Sequence, residues 1–226
     1  PIAAGGTPRY TESDYSETRL IFADQFAGGG AASIPMRDQG MLAGMMCDRG
    51  FLQDRCLRER YHEEDKGRRV IRDINLVKKE HLQGCFCLWS AAPCVAFAKP
   101  GKKLGWSDAR SDYFDTQCDV ARSEQVQLPV IFVENVTETL QQHPGHKQHG
   151  TISPTEALTK KMTSNYEVRT NVLDSVRLKG KVARPRMIMQ CKLKKLHNDP
   201  SQSKAQVEQR LAAAHAKECL RKGEAL

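Results

Sequence analysis

The chain has no run of about 18 consecutive apolar residues, which excludes a membrane-spanning helix. Its first residues, Pro1 to Thr7, lack the basic-then-apolar layout of a secretion signal. They also lack an initiator methionine, which points to a processed or trimmed chain. Without a secretory signal, the eight cysteines do not read as a disulfide framework. Cys85 and Cys87 sit in the apolar run Cys85-Phe86-Cys87-Leu88-Trp89, where small hydrophobes pack well. Reduced, mostly buried thiols in an intracellular protein are expected, in cytoplasm or nucleoid, or in a nucleus.

What is there is ordinary in bulk: 39% hydrophobic and 27% charged residues, as in a soluble globular protein. A length of 226 residues holds one full-sized domain with a short appendage. The formal charge is +8. That balance suits a phosphate-binding surface, because Lys and Arg replace condensed counterions along a nucleic acid.

Along the chain, residues 1–18 are polar and rich in Gly, Ser and Thr, and read as a flexible arm. Leu20 to Ala23 is a short buried strand running through Asp24-Gln25-Phe26-Ala27 into the turn Gly28-Gly29-Gly30. Gly40 to Met46 is a second apolar run ending at Cys47-Asp48, and Phe51 to Glu63 has helical spacing through Phe51, Leu52, Cys56, Leu57 and Tyr61. Val70-Ile71 leads to Asp73-Ile74, Glu80 to Leu82 is a helix end, and Cys85 to Trp89 is a fourth strand. Residues 98–111 read as an exposed loop, Asp112 to Gln125 as a helix, and Val130 to Val133 as a strand ending at Glu134-Asn135-Val136. A helix from Pro154 to Ser164 precedes strands at Tyr166 to Leu173 and Arg186 to Cys191; a tail helix starts at Asp199-Pro200, runs to Gly223 and carries Val207, Leu211 and Ala214 on one face.

Alternating strands and helices predict an α/β domain with a mostly parallel sheet covered on both faces. Ligands bind such sheets beyond the carboxyl ends of their strands, which is where the acidic and glycine residues fall. Glycines let a backbone approach a ligand closely, although a tight turn alone has the same composition. Asp48 is placed to bond both hydroxyls of a ribose, or to cap a turn. Cys94, after Pro93 at a strand end, is a candidate nucleophile. Glu134 is either an acid that serves a ring nitrogen or a helix cap. His143, His146 and His149 recur every third residue. With no fourth ligand nearby, no metal site is expected from them.

Taken in order, Asp24-Gln25-Phe26-Ala27-Gly28-Gly29-Gly30, Asp48, Asp73-Ile74, Pro93-Cys94-Val95-Ala96-Phe97, Glu134-Asn135-Val136 and Arg184-Pro185-Arg186 resemble the cytosine-5 DNA methyltransferases. Gly105-Trp106 through Phe114 resembles the family's stretch after the cysteine loop, and the likeness covers residues 19–192. The resemblance implies a Rossmann-like methyltransferase fold and S-adenosylmethionine as cofactor. Phe26, Ala27, Gly28, Gly29, Gly30 and Pro93 would hold the donor, with Asp48 on its ribose and Asp73 and Ile74 at its adenine. Cys94 would add to carbon-6 of cytosine, and Glu134 would hold the N3 and amino edge. Arg186, helped by Arg184, would bind the carbonyl oxygen and brace Glu134. The target base must be flipped out of a duplex to react. The loop Lys99 to Arg110, with Lys102, Lys103, Gly101 and Gly105, is expected to form a lid over it.

Four positions depart from the family pattern: Ala92 replaces a proline, Val95 a glutamine, Ala98 a serine and Val182 a glutamine. After Cys191 there is a basic linker (193 onward) and the tail helix, to residue 226, with nothing resembling a target-recognition domain. Either a second subunit supplies recognition, or the chain is a fragment, or it is a reduced homologue; DNA is the expected partner, joined by a second subunit under the first of these, with no membrane. Two other readings stand beside DNA methylation. One is an RNA cytosine-5 methyltransferase. The other is a regulatory homologue that binds donor, nucleic acid or a partner protein.

Overall fold

The computed structural model describes residues 20–61, 69–98, 104–143, 152–178 and 181–194, which fall into two compact units divided after Phe86. The arm at 1–18, the end of the first long helix beyond Tyr61 and the tail helix from Asp199 lie outside the described residues, as do Gly101, Lys102, Lys103, His146 and His149.

In the first unit, β1 (Ile21–Gln25), β2 (Leu42–Cys47) and β3 (Arg69–Ile71) are parallel, in the order β3-β2-β1. All five residues of β1 are buried, as expected of a parallel strand covered on both faces. The register between β1 and β2 shifts after Phe22, so Ala23 faces Met45 and Gly44 has no opposite number. A residue without a side chain is the natural occupant of such a bulge. Helix α1 (Ser33–Asp38) carries Pro35 in its first turn, where a missing N–H costs nothing.

Helix α2 (Phe51–Tyr61) forms where helical spacing is expected, but its inward face is narrower. Leu57 and Asp54 are buried, whereas Phe51 and Leu52 are 71% and 68% exposed. A carboxylate at 54 has displaced hydrophobes from that face because two cations reach it. Arg58 Nε lies 3.0 Å and Arg72 Nη2 2.8 Å from Asp54 Oδ2. Those bonds hold the Asp54 carboxyl below the ordinary carboxylate range. The clamp ties α2 to the residue after β3. The region from Glu80 to Leu82 is a one-turn helix, α3 (Lys79–Leu82), burying Leu82.

The second unit orders its strands β4-β5-β7-β6, from β4 (Cys87–Ser90), β5 (Val130–Val136), β6 (Tyr166–Asp174) and β7 (Pro185–Leu193). β4 and β5 are parallel, while β7 runs antiparallel to both β5 and β6. Helix α5 (Pro154–Met162) has Ser153 as N-cap, whose Oγ accepts from Glu156 N at 3.1 Å, with Pro154 in the first turn. It buries Ala157, Leu158 and Met162.

Two expectations need correction. The helix read over Asp112 to Gln125 is only α4 (Ser111–Thr116). Beyond it, Asp119 N bonds Thr116 O and Ser123 N bonds Val120 O, three residues back, so the chain breaks into tight turns that bury Cys118 and Ala121. In the segment read as an exposed loop and lid, Gly105, Trp106 and Asp108 are buried, while Leu104, Ser107, Ala109 and Arg110 are exposed. Trp106 is 4% exposed and meets Phe97 edge-on, ring centroids 5.5 Å apart, and Phe97 meets Phe114 at 5.8 Å. Burial of three rings outweighs the polar composition around them. Gly105, with φ +55°, has His143 Cβ 2.8 Å from where a side chain would begin, so it is a packing point and not a hinge.

Among the described residues no helix is long and apolar enough to cross a membrane. Five of the seven described cysteines are buried, and none of the seven is in a disulfide. Asp54→Ala is expected to lower stability by about 1–2 kcal/mol, less than a fully buried pair because both arginines keep water. Urea unfolding of the two proteins measures it.

Candidate functional site

In the second unit, the strand β4 empties into Ala91-Ala92-Pro93-Cys94, beyond its carboxyl end. Register pairs Ser90 with Val133, so the next residues of β5, Glu134 and Asn135, lie at that same edge. Alternation along β5 sends Glu134 and Asn135 to opposite faces, and each finds a different partner. Glu134 Oε1 and Arg186 Nε form an ion pair at 2.9 Å, and the two side chains are 24% and 25% exposed. Arg186 is registered against Val136 and Ile188 against Glu134. The ion pair is therefore a diagonal one on a single face of the β5–β7 ladder.

Asn135 is 1% exposed, and its Nδ2 donates to Ala92 O at 2.9 Å. Its Oδ1 accepts from Val136 N at 2.9 Å, so the buried amide is satisfied on both sides. It tethers the chain two residues before Cys94. Phe97 and Ala98 donate backbone N–H to Cys94 O, both at 2.9 Å, and Gly105 N donates to Ala96 O at 3.0 Å. Ser90 Oγ donates to Gln117 Oε1 at 2.8 Å. Cys94 is thus half-buried in a loop held at both ends. By contrast, burial pushes the thiols of Cys47 and Cys191 up to about 12 and suppresses their thiolates.

Asn135 appeared in the sequence only as part of a motif. The signal was an asparagine inside an apolar strand, where it needs a partner to be tolerated. Arg184 is not brought to Glu134: its side chain is exposed, and its backbone N donates to Asp174 Oδ1 at 3.0 Å. His143 Nε2 donates to Glu138 O at 2.9 Å, and the ring stands 5.1 Å from the Phe97 ring.

The first unit gathers the residues expected to hold a donor. Phe26 follows β1 with φ +58°, a left-handed conformation that side chains other than glycine rarely adopt. Such strain collects at ligand sites. Gly28 and Gly30 are also left-handed, at +56° and +81°, as this turn requires. Ala27 N donates to Cys47 O at 2.9 Å, which pins the turn to the end of β2. Asp48 Oδ2 and Oδ1 accept from Gly28 N and Gly50 N, both at 2.8 Å. A carboxylate retains further lone pairs after two such bonds. Asp73 Oδ1 accepts from Asn75 N at 2.9 Å, capping a turn that begins at Ile74.

Asp24 is 1% exposed, and its Oδ2 accepts from Ser33 Oγ at 2.9 Å. Its Oδ1 has no hydrogen-bond partner among the described residues. Burial raises its pKa to about 7, with the charge of Asp48 adding to the rise and Ser33 opposing it. An orphaned acceptor, open space where side chains on Gly28 and Gly29 would begin and an acid with spare lone pairs together fit a ligand bearing hydroxyl and ammonium donors. That is the donor set of S-adenosylmethionine.

The model for C-5 cytosine-specific DNA methylase matches residues 20–223. No curated protein sequence matches the chain. Among solved structures it is similar to a candidate DNA modification methyltransferase encoded within an E. coli prophage, with a TM-score of 0.61 and 15% identity over 80% of this chain and 48% of that one. It is similar to EhMeth of Entamoeba histolytica (0.57, 14%, over 80% and 55%) and to the Dnmt2 methyltransferase of S. pombe (0.56, 17%, over 77% and 51%). At these identities the likeness shows the fold, an α/β Rossmann-like methyltransferase. The chain spans about half the length of these solved relatives.

Two outcomes follow. Asn135→Ala leaves the buried Ala92 carbonyl without its donor; it is expected to slow any reaction of Cys94 about 10–100-fold while donor affinity stays unchanged. Stopped-flow thiol reactivity and calorimetry read the two quantities. Asp24 has a folded pKa above its unfolded one, so its contribution is fully present below pH about 4 and is lost as pH rises through about 7. Urea unfolding is expected to show the wild type gaining a few kcal/mol relative to Asp24→Asn between pH 8 and pH 4.

Proposed function

This chain belongs to the C-5 cytosine-specific DNA methylase family, and on that premise we propose that it methylates carbon-5 of cytosine in DNA, with Cys94 as nucleophile. The observation that carries the reading is the Glu134–Arg186 pair at the strand edge that also bears the Cys94 loop. S-adenosylmethionine supplies an electrophilic methyl carbon when bound.

Within the first unit, Asp48 takes the ribose hydroxyls, the Phe26 to Gly30 turn takes the rest of the donor's amino-acid end, and Asp73 and Ile74 take the adenine. Pro93 is assigned to the donor as well. Cys94 as thiolate adds to carbon-6 of the cytosine ring, forming a carbon–sulfur bond and leaving carbon-5 electron-rich. Glu134 bonds the N3 and amino edge, stabilising the charge that builds there. Arg186 keeps Glu134 oriented through its Nε and offers its remaining N–H groups to the ring carbonyl oxygen. Once carbon-5 carries its methyl group, that carbon loses its proton and the Cys94 thiolate leaves. Arg184 sits two residues earlier and flanks the same edge. A second subunit that supplies target recognition is part of this reading.

A regulatory, non-catalytic reading is favoured by the departures at Val95 and Val182, 41% and 73% exposed where the family carries glutamine. One experiment separates them. The chain is incubated with the donor and with DNA or RNA containing 5-fluorocytosine, which traps the adduct because no carbon-5 proton can leave. A covalent complex on DNA that vanishes in Cys94→Ala and forms about 10²–10³-fold more slowly in Glu134→Gln is expected. Donor binding with no complex on either nucleic acid contradicts the enzyme reading; a complex on RNA alone contradicts the DNA assignment.

A further inference from the structure

Where β6 turns into β7, the described residues on the two sides of the turn, 174–178 and 181–186, present positive charge that the chemistry above leaves unused. Arg177, Lys181 and Arg184 are exposed there, and none has an acidic partner among the described residues. The sole acid on these two arms, Asp174, turns its Oδ1 to the backbone, accepting from Val176 N at 3.2 Å and Arg184 N at 3.0 Å. Elsewhere in the same unit, several cations carry their own neutralisation, whereas Arg169 and Lys192 have no ion pair among the described residues. Arg110 pairs with Asp108, Arg122 with Asp119, Lys160 with Glu156 and Lys161 with Asp115.

The arms are braced. Ser175 Oγ donates to Val182 O, and the two Asp174 bonds join one arm to the other. Like charges held on a fixed frame repel one another unless an outside anion offsets them. β7 also runs from this tip directly to Arg186, which bonds Glu134. A polyanion lying on the tip would therefore continue into the edge where the cytosine is to be held.

We propose that this tip binds the phosphodiester backbone beside the target base, with Arg177 and Lys181 as phosphate contacts and Arg184 between them and the base edge. The inference rests on the proposed function for its substrate class and adds the surface that holds it. Phosphate contacts position a protein on nucleic acid without reading sequence. The exposed Val176 and Val182 flank the cations and would lie against sugars.

The test uses the whole chain and two fluorescent probes, a duplex DNA of about 20 base pairs and an RNA stem-loop, titrated between about 50 and 300 mM salt. Arg177→Ala/Lys181→Ala is compared with wild type and with Lys160→Ala, a cation already paired; circular dichroism confirms folding of each. Loss of two phosphate contacts is expected to flatten the slope of log affinity against log salt by about 1.5 and to weaken binding about tenfold or more at low salt. Lys160→Ala is expected to change neither. The probe showing the larger effect identifies DNA or RNA as the backbone bound. An unchanged slope and affinity in the double variant overturns the proposal, and leaves the tip to a protein partner. The 5-fluorocytosine complex is scored separately on the same proteins: a complex with an unchanged slope sinks only this inference, whereas a flattened slope without a complex sinks only the catalytic reading.

Discussion

The antiparallel ladder between β5 and β7 is the constraint on which the catalytic reading depends. It runs from Val130 opposite Lys192 to Val136 opposite Arg186, and alternation makes its register a matter of chemistry. Glu134 is turned to the face where Arg186 can reach it, and Asn135 to the buried face where Ala92 O waits. A slip of one residue would drive the carboxylate into the core without a cation and expose the asparagine. Both errors are costly, so the pairing that builds the sheet also sets Glu134 and the Cys94 loop at one edge. Aromatic burial at Phe97, Trp106 and Phe114 then fixes the far side of that loop.

The glycine turn of the first unit obeys a different logic. Three carboxylates, Asp24, Asp48 and Asp73, all raise the pKa of the Cys47 thiol, which marks the carboxyl ends of β1 to β3 as a region of negative potential. Backbone N–H groups satisfy part of Asp48 and Asp73, and a hydroxyl satisfies half of Asp24. The remaining acceptors suit a ligand with positive charge and hydroxyls. A cationic sulfonium donor is such a ligand. Strain at Phe26 and burial at Asp24 are costs that the fold alone does not need.

Much of this was legible in the residues. The strands around Ile21, Met45, Leu88 and Ile131 announced themselves by apolar runs ending in polar residues, and the spacing of Cys94, Glu134 and Arg186 carried the family likeness. Strand direction was not legible: nothing in Tyr166 to Leu173 or Arg186 to Cys191 says antiparallel, because hydrophobic alternation is the same either way. The helix after Asp112 was read too long because its later residues bury Cys118 and Ala121 through tight turns that no period betrays. Trp106 was lost among lysines and glycines, and its partner Phe97 lies nine positions away. Asp54 is one of two acids on α2, and nothing near it in sequence marks it as buried, since Arg72 comes from a different element. Arg184 was grouped with Arg186 by motif, while the β6–β7 turn holds its backbone and leaves its side chain in water.

The central claim is that Glu134 and Arg186 act as one unit on the cytosine. A double-mutant cycle on single-turnover formation of the 5-fluorocytosine complex tests it most directly, using Glu134→Gln, Arg186→Gln and the pair together. The account requires the double variant to lose less than the product of the two single losses, because both singles remove the same ion pair besides their own contacts to the ring. Losses that simply multiply would mean that the two residues work independently, and would contradict it.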